Sequence, residues 1–308
     1  FYSCSKLEKV KLSNKLECIG NYAFCDCTSL KTVTTGANIK SIGDGVFLEC
    51  KSLENFSLPS SVKSIGKVAF YNCSSIKSFT IPQIDRISEG MFHGCSGITT
   101  ITVPNTVKNI DMRAFYDCSN LKSAKLSNNL KSIGEDAFGF CSSLDSIVIP
   151  DSVTTIDIRA FFECSNLKSV KLSNNLTNID EFLFSGCSSL KDITIPNSVK
   201  NISDYAFQSC ENLNTIVIGN NVETIGNCAF ALCENLKNVK ISNSVKSIGT
   251  AAFRDCDNLI HITILENVSD IGEYAFGYYS LYNEENDNFD NVKYLSLIHI
   301  SEPTRQEA

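Results

Sequence analysis

The chain has 308 residues, a formal net charge of −7, 43% apolar and 20% charged residues, and no Trp. That balance belongs to a core-forming chain rather than a disordered one. The acidic excess, with a pI near 5.1, argues against a nucleic-acid or anionic-membrane binder, and no apolar run approaches the roughly 20 residues of a membrane-spanning helix.

From its first residue the chain repeats itself. Phenylalanines stand at 1, 24, 47, 70, 92, 115, 138, 161, 184, 207, 230, 253 and 276, every step being 23 residues except the 22 between Phe70 and Phe92. A fixed period in this range marks a solenoid, in which each unit buries its apolar face only by stacking on its neighbours. Taking each of these phenylalanines as position 0, the apolar positions are 0, +3, +6, +9, +11, +15 and +18; in one unit these are Phe184, Cys187, Leu190, Ile193, Ile195, Val199 and Ile202. The spacing of 0, +3 and +6 predicts a short helical turn, too brief to survive alone. It is preceded at +19 by residues that can cap it: Gly43, Gly66, Asp111, Gly134, Asp157, Asp180, Ser203 and Gly226. Positions +9 to +11 alternate apolar, polar, apolar and are β-branched, as in Ile193-Thr194-Ile195, which predicts a strand. Identical strands one period apart must then stack in parallel. Pro59, Pro82, Pro104, Pro150 and Pro196 end that strand at +12, and a second brief extended segment follows through +15 and +18. The one-residue deletion near Ile84 and Ile87 predicts a local kink.

Twelve of the fifteen cysteines, from Cys4 to Cys256, occupy +3. Stacked coils would bring them within disulfide reach, but free Cys packs as a small hydrophobe, and a ladder of thiols in the core is the favoured expectation. Cys18, Cys25 and Cys228 fall outside the column. No cysteine has zinc-site spacing, and only His93, His261 and His299 could assist a metal, from unrelated positions. No metal or other cofactor is expected.

Past Phe276 the pattern breaks. The domain reading is a solenoid over residues 1–282, an acidic, Asn-rich irregular segment over 283–294 with another strand possible at Val292 to Leu295, and a tail over 295–308 that fits no repeat and resembles translated adapter sequence. Beginning inside a repeat without an initiating Met, the chain is expected to be a fragment.

The unit Leu-x-x-Ile-x-Ile-Pro-x-x-Val-x-x-Ile-Gly-x-x-Ala-Phe-x-x-Cys-x-x-Leu, carried almost fully by residues 144–167 with Asp157 in the Gly slot, resembles the 23-residue leucine-rich repeat of the BspA-like family. The resemblance implies an α/β solenoid, a leucine-rich-repeat array of about twelve coils with a parallel sheet of short strands and short helical turns. It also implies a secreted or surface protein of a bacterium or anaerobic protist that adheres to host matrix proteins or to other cells. No catalytic motif comes with it.

For binding, the outward column between the strand apolars is the candidate: Thr34, Ser57, Thr80, Thr102, Lys125, Val148, Lys171, Thr194, Val217, Lys240 and Thr263. It lacks the Trp, Tyr or Arg cluster of a strong hot spot, so modest affinity per repeat, gained by multivalency, is expected. Lysines at +16 (Lys40, Lys63, Lys108, Lys131, Lys200, Lys246) and acids at +2 (Asp26, Glu49, Asp117, Glu163, Asp255) read as solvated edges. N-glycosylation triplets begin at Asn55, Asn72, Asn175, Asn201 and Asn267. No singular carboxylate pair, phosphate loop or triad arrangement appears, so an enzyme is not expected. The function predicted is a monomeric, non-enzymatic binding module, extracellular or at the cell surface, whose partners are proteins or glycans of host or neighbouring cells and not nucleic acid. The alternative is a cytoplasmic protein–protein scaffold with reduced thiols.

Overall fold

A computed structural model describes residues 1–277 and 298–300, apart from the side chains of Asn55 and of residues 298–300. Each coil contributes two strands, except that of Phe70, which has only the shorter one. The longer spans +8 to +10, as in Thr32–Thr34, Ser146–Val148 and Asp192–Thr194, and the shorter covers two residues ending at +18, as in Ser41–Ile42 and Asn201–Ile202. Every pairing is parallel and joins equivalent strands of neighbouring coils in register, as Ser146 with Ser169, Ile147 with Val170 and Val148 with Lys171; the shorter strands form three sheets, broken after Ser64–Ile65 and after Thr155–Ile156. A one-residue slip would turn the whole inward row outward, so the period that repeats the apolar set also sets the pairing.

The sheet of longer strands is continuous from Thr100–Thr102 to His261–Ile264, and Ile298–Ile300 of the tail is laid on its last edge. The remaining tail residues, the acidic segment and the strand expected at Val292 lie outside the described residues. A separate three-stranded sheet joins Lys9–Lys11, Thr32–Thr34 and Asn55–Phe56. The interruption falls in the coil of Phe70, which holds the deletion. There the residue is lost from the turn after Pro82, and Ile84 donates its amide to the Pro82 carbonyl at 2.8 Å to close it. Because the loss is in an outward turn, Ile81, Ile84 and Ile87 all remain buried. The +9 position, elsewhere mostly Ile or Val, is Phe56 and Phe79 beside the break, and both rings wedge against the central column, 4.8 Å from Phe47 and 4.9 Å from Phe70.

The core is one continuous cluster along the array. At its centre the repeat phenylalanines stack ring over ring from Phe1 to Phe276, with centroids 5.1 to 5.6 Å apart.

The helical turn predicted around each Phe is not there; the described residues contain no helix. Two residues in every coil, at −2 and +2, have left-handed backbone, as at Asp136 (φ 53°) and Phe140 (φ 58°) around Phe138. Such residues interrupt a right-handed helix. Alternate amides have different partners. Ala137, Gly139 and Cys141 each donate to the carbonyl three residues back, while Asp136, Phe138 and Phe140 donate to Ile158, Ala160 and Phe162 of the next coil at 2.8 to 3.1 Å. A run of β-turns repeats every few residues much as a helix does, so the 0, +3, +6 spacing misled. The +19 residues are accordingly not helix caps. The glycines among them sit where the neighbouring coil comes close: a Cβ on Gly66 would lie 2.5 Å from the amide nitrogen of Asp44. The +2 acids also gain a conformational reason, since Asp26, Asp117 and Asp255 occupy left-handed positions that Asp tolerates better than most residues.

All fifteen cysteines are free. In the +3 column each thiol from Cys27 to Cys256 donates to the carbonyl of the Phe in the preceding coil, as Cys141 to Phe115 and Cys164 to Phe138, both at 3.2 Å. The thiol is thus a buried donor for a buried acceptor, which a purely apolar side chain would not supply. Burial pushes these thiols up, to about 12 for Cys50 and well above the ordinary value for Cys141. A thiol-directed reagent at pH 8 is expected to label exposed Cys4 and Cys18 rapidly and half-buried Cys228 more slowly, with Cys141 and Cys164 reacting only after unfolding. Mass spectrometry of the native protein would count the adducts, and rapid labelling of Cys141 would refute the ladder.

Candidate binding surface

Of the eleven +10 residues, ten are exposed and Thr263 is half-buried. Eight of them, Thr102, Lys125, Val148, Lys171, Thr194, Val217, Lys240 and Thr263, form one unbroken row across the long sheet. Thr34 stands in the separate three-stranded sheet, Ser57 follows Asn55–Phe56, and Thr80 lies in the coil without a longer strand. Val148 and Val217 are 59% and 52% exposed, which no packing among the described residues explains.

The row has neighbours that column-by-column reading passed over. Position +8 also faces outward, adding Thr100, Ser123, Ser146, Ser169, Asp192, Thr215, Asn238 and His261. Position +7, just before the strand, is exposed in every coil from Lys31 to Ile260. Together, +7 to +10 carry eleven lysines (Lys9, Lys11, Lys31, Lys77, Lys122, Lys125, Lys168, Lys171, Lys191, Lys237, Lys240) against four carboxylates (Glu8, Glu54, Asp145, Asp192). The signal was present in the sequence, but only after +7 is recognised as part of the face. Of these lysines, Lys31 pairs with Glu8 at 3.5 Å and Lys168 with Asp145 at 2.7 Å; the others make no ion pair among the described residues.

A second aromatic ladder runs across several coils away from the sheet. Tyr71, His93 and Tyr116 stack with centroids 4.3 and 4.8 Å apart, Phe140 and Phe162 continue it edge to face, and Phe182 stacks on Tyr205 at 4.6 Å. Arg113 and Arg159 lie 5.9 Å from the Tyr116 and Phe182 rings. Arg113 also reaches the buried carboxylate of Asp136 at 3.2 Å. Burial lowers the His93 pKa and favours its neutral ring. The recurrence of aromatics at +1 (Tyr71, His93, Tyr116, Phe162) would have announced this ladder. The rings satisfy one another, and the arrangement ties coil to coil.

The turns are laced by amides. Asn at +14 donates to the preceding coil's +13 carbonyl, as Asn175 to Asp151 at 2.7 Å and Asn267 to Asn243 at 2.8 Å. Asn72 donates to Glu49 and Asn201 to Asn178. The amide nitrogens of four glycosylation triplets are therefore already engaged. The +16 edge forms exposed ion pairs, Lys40 with Glu17 and Lys246 with Glu223, of a kind worth little individually. A shallow groove there, lined by Lys200, Asn221, Glu223 and Lys246 among others, is open to solvent. Among the described residues no cluster of three or more His, Cys, Asp or Glu is arranged to hold a metal ion, and no helix is long and apolar enough to cross a membrane.

Parallel coils of this period, one strand face outward and a Phe–Cys core within, define a leucine-rich-repeat solenoid. More narrowly, the chain belongs to the BspA-type leucine-rich-repeat family, whose profile, described as "BspA type Leucine rich repeat region (6 copies)", matches residues 1–122, 85–213 and 200–300. Among solved structures, a leucine-rich repeat protein from Bacteroides ovatus is similar at 26% identity with a TM-score of 0.76, over 88% of this chain and 76% of that one. A leucine-rich cell surface protein from Faecalibacterium prausnitzii (24% identity, TM-score 0.57, 89% and 88% covered) and the pneumococcal vaccine antigen PcpA (22%, 0.59, 85% and 68%) share the fold. No curated protein matches significantly.

Proposed function

We propose that this chain is a non-enzymatic binding module, secreted or displayed at a cell surface, that adheres to proteins or glycans of host or neighbouring cells through the outward face of its long sheet. The observation that carries the reading is the unbroken +10 row across eight coils, exposed in all but the last, Val148 and Val217 included. Solenoids use such faces as extended platforms. The surface placement draws support from the F. prausnitzii relative, which is a cell surface protein. Free thiols do not favour a reducing compartment over an oxidising one here, because burial and the Phe carbonyls hold the column thiols.

The test is binding of the protein to immobilised matrix proteins and to intact cells, followed by the double substitution Val148→Glu/Val217→Glu. Both positions are outward, so the fold is expected to survive, as circular dichroism would show. A loss of at least tenfold in affinity is the expected outcome. An interaction left unchanged would mean that another face binds.

A further inference from the structure

The chain as a whole carries −7, yet +7 to +10 of its coils carry an excess of lysine of the same size and opposite sign. We propose that the occupant of this face is a linear anionic polysaccharide, bound along the stack by the lysines of the coils from Phe115 to Phe230. The proposal rests on the sheet-face reading above and names the chemistry of its ligand.

The geometry is regular. Within one coil Lys122 and Lys125, Lys168 and Lys171, and Lys237 and Lys240 are three residues apart along an extended segment, about 10 Å. Coils are stacked at about 4.8 Å, so the first two pairs are again about 10 Å apart, with Lys191 one coil further on. The basic field therefore runs for roughly 24 Å along the axis. At physiological salt the screening length is about 8 Å, so these lysines repel one another only weakly in the free protein. A polymer carrying a charge at regular intervals can meet each of them in turn and release its condensed counterions.

Three features favour a polysaccharide over an acidic protein or a nucleic acid. Between these coils the outward +7, +8 and +10 positions hold no aromatic residue and no Arg, the side chains that anchor protein interfaces and stack on bases. The +8 row supplies Ser123, Ser146, Ser169, Thr215 and Asn238, which make no side-chain hydrogen bond among the described residues and can exchange them with sugar hydroxyls. The long sheet is one unbroken ladder of short strands, and an extended chain needs only such a track. The carboxylates on the track are few: Asp145, already paired with Lys168, and Asp192.

The experiment measures binding of the full chain to dextran sulfate, neutral dextran, polyglutamate and double-stranded DNA across a salt series. The expected result is binding to dextran sulfate at physiological salt, with none to dextran and at least tenfold weaker binding to polyglutamate and DNA. Lys125→Gln/Lys171→Gln/Lys240→Gln should weaken it at least tenfold and reduce the slope of log affinity against log salt by about 2. The matched triple at +16, Lys63→Gln/Lys108→Gln/Lys131→Gln, should change it less than twofold. No binding to dextran sulfate, equal binding to dextran, or equal loss from both triples would overturn the proposal. Equal or tighter binding to polyglutamate or DNA would overturn the polysaccharide assignment. If dextran sulfate fails while Val148→Glu/Val217→Glu still abolishes a protein or cell interaction, the face is right and the ligand class wrong; if both fail, the face reading itself falls.

Discussion

Raising the pH above about 9 is expected to unfold this protein in a steep, cooperative transition. Eight column thiols, Cys73, Cys95, Cys118, Cys141, Cys164, Cys187, Cys210 and Cys233, are fully buried and held well above their ordinary range, chiefly because burial penalises the thiolate. In the unfolded chain a thiol ionises near 8.5. Below that pH both states are protonated, and the stability the thiols contribute is fully present. Above it the unfolded chain loses protons that the folded one retains, so stability falls as pH rises, until the folded-state values are reached. Each such group shifts the balance by about 1.4 kcal/mol per pH unit, and eight together by on the order of 10 kcal/mol per unit. Typical folding stabilities of 5–15 kcal/mol would be exhausted within about one to two units. Circular dichroism between pH 8 and 11, under reducing conditions, checks this. A Cys141→Ala/Cys164→Ala/Cys187→Ala variant should show a shallower transition. An unchanged steepness would mean that other groups drive it.

The second large effect is at the centre of the array. Phe161 is fully buried between Phe138 and Phe184, at 5.4 and 5.5 Å. Phe161→Ala is expected to cost about 3–5 kcal/mol, through lost burial and the cavity left between two rings that the coil hydrogen bonds keep apart. Because each coil contacts only its neighbours, the loss falls on one coil and its two interfaces. Urea unfolding should therefore change shape as well as midpoint, dividing into two transitions as the halves uncouple. A shift with undiminished cooperativity would show that coupling is carried mainly by the outer hydrogen-bond ladders.

Much of this molecule was legible from its period. In a solenoid, burial is a function of position in the unit, so the inward columns from Phe184 through Ile202 could be named without coordinates, and so could the outward row through Val148. The same reasoning turned the cysteines from suspected bridges into core. The deletion near Ile84 was legible too, and it coincides with the break in the sheet.

What the amino-acid pattern alone determined is therefore which residues face in, which face out, and that equivalent residues meet their own kind. Only the stacked structure decided how the backbone around each Phe is satisfied. The amide of Phe138 goes to Ala160 and the thiol of Cys141 to the carbonyl of Phe115, partners more than twenty residues distant, which local spacing cannot distinguish from a helix that would keep those bonds to itself. The assembly of Tyr71, His93 and Tyr116 into a second ladder, and of Lys122, Lys125 and their equivalents into one basic track, has the same cause. Each coil offers a single side chain, and only coils stacked about 4.8 Å apart make it a surface.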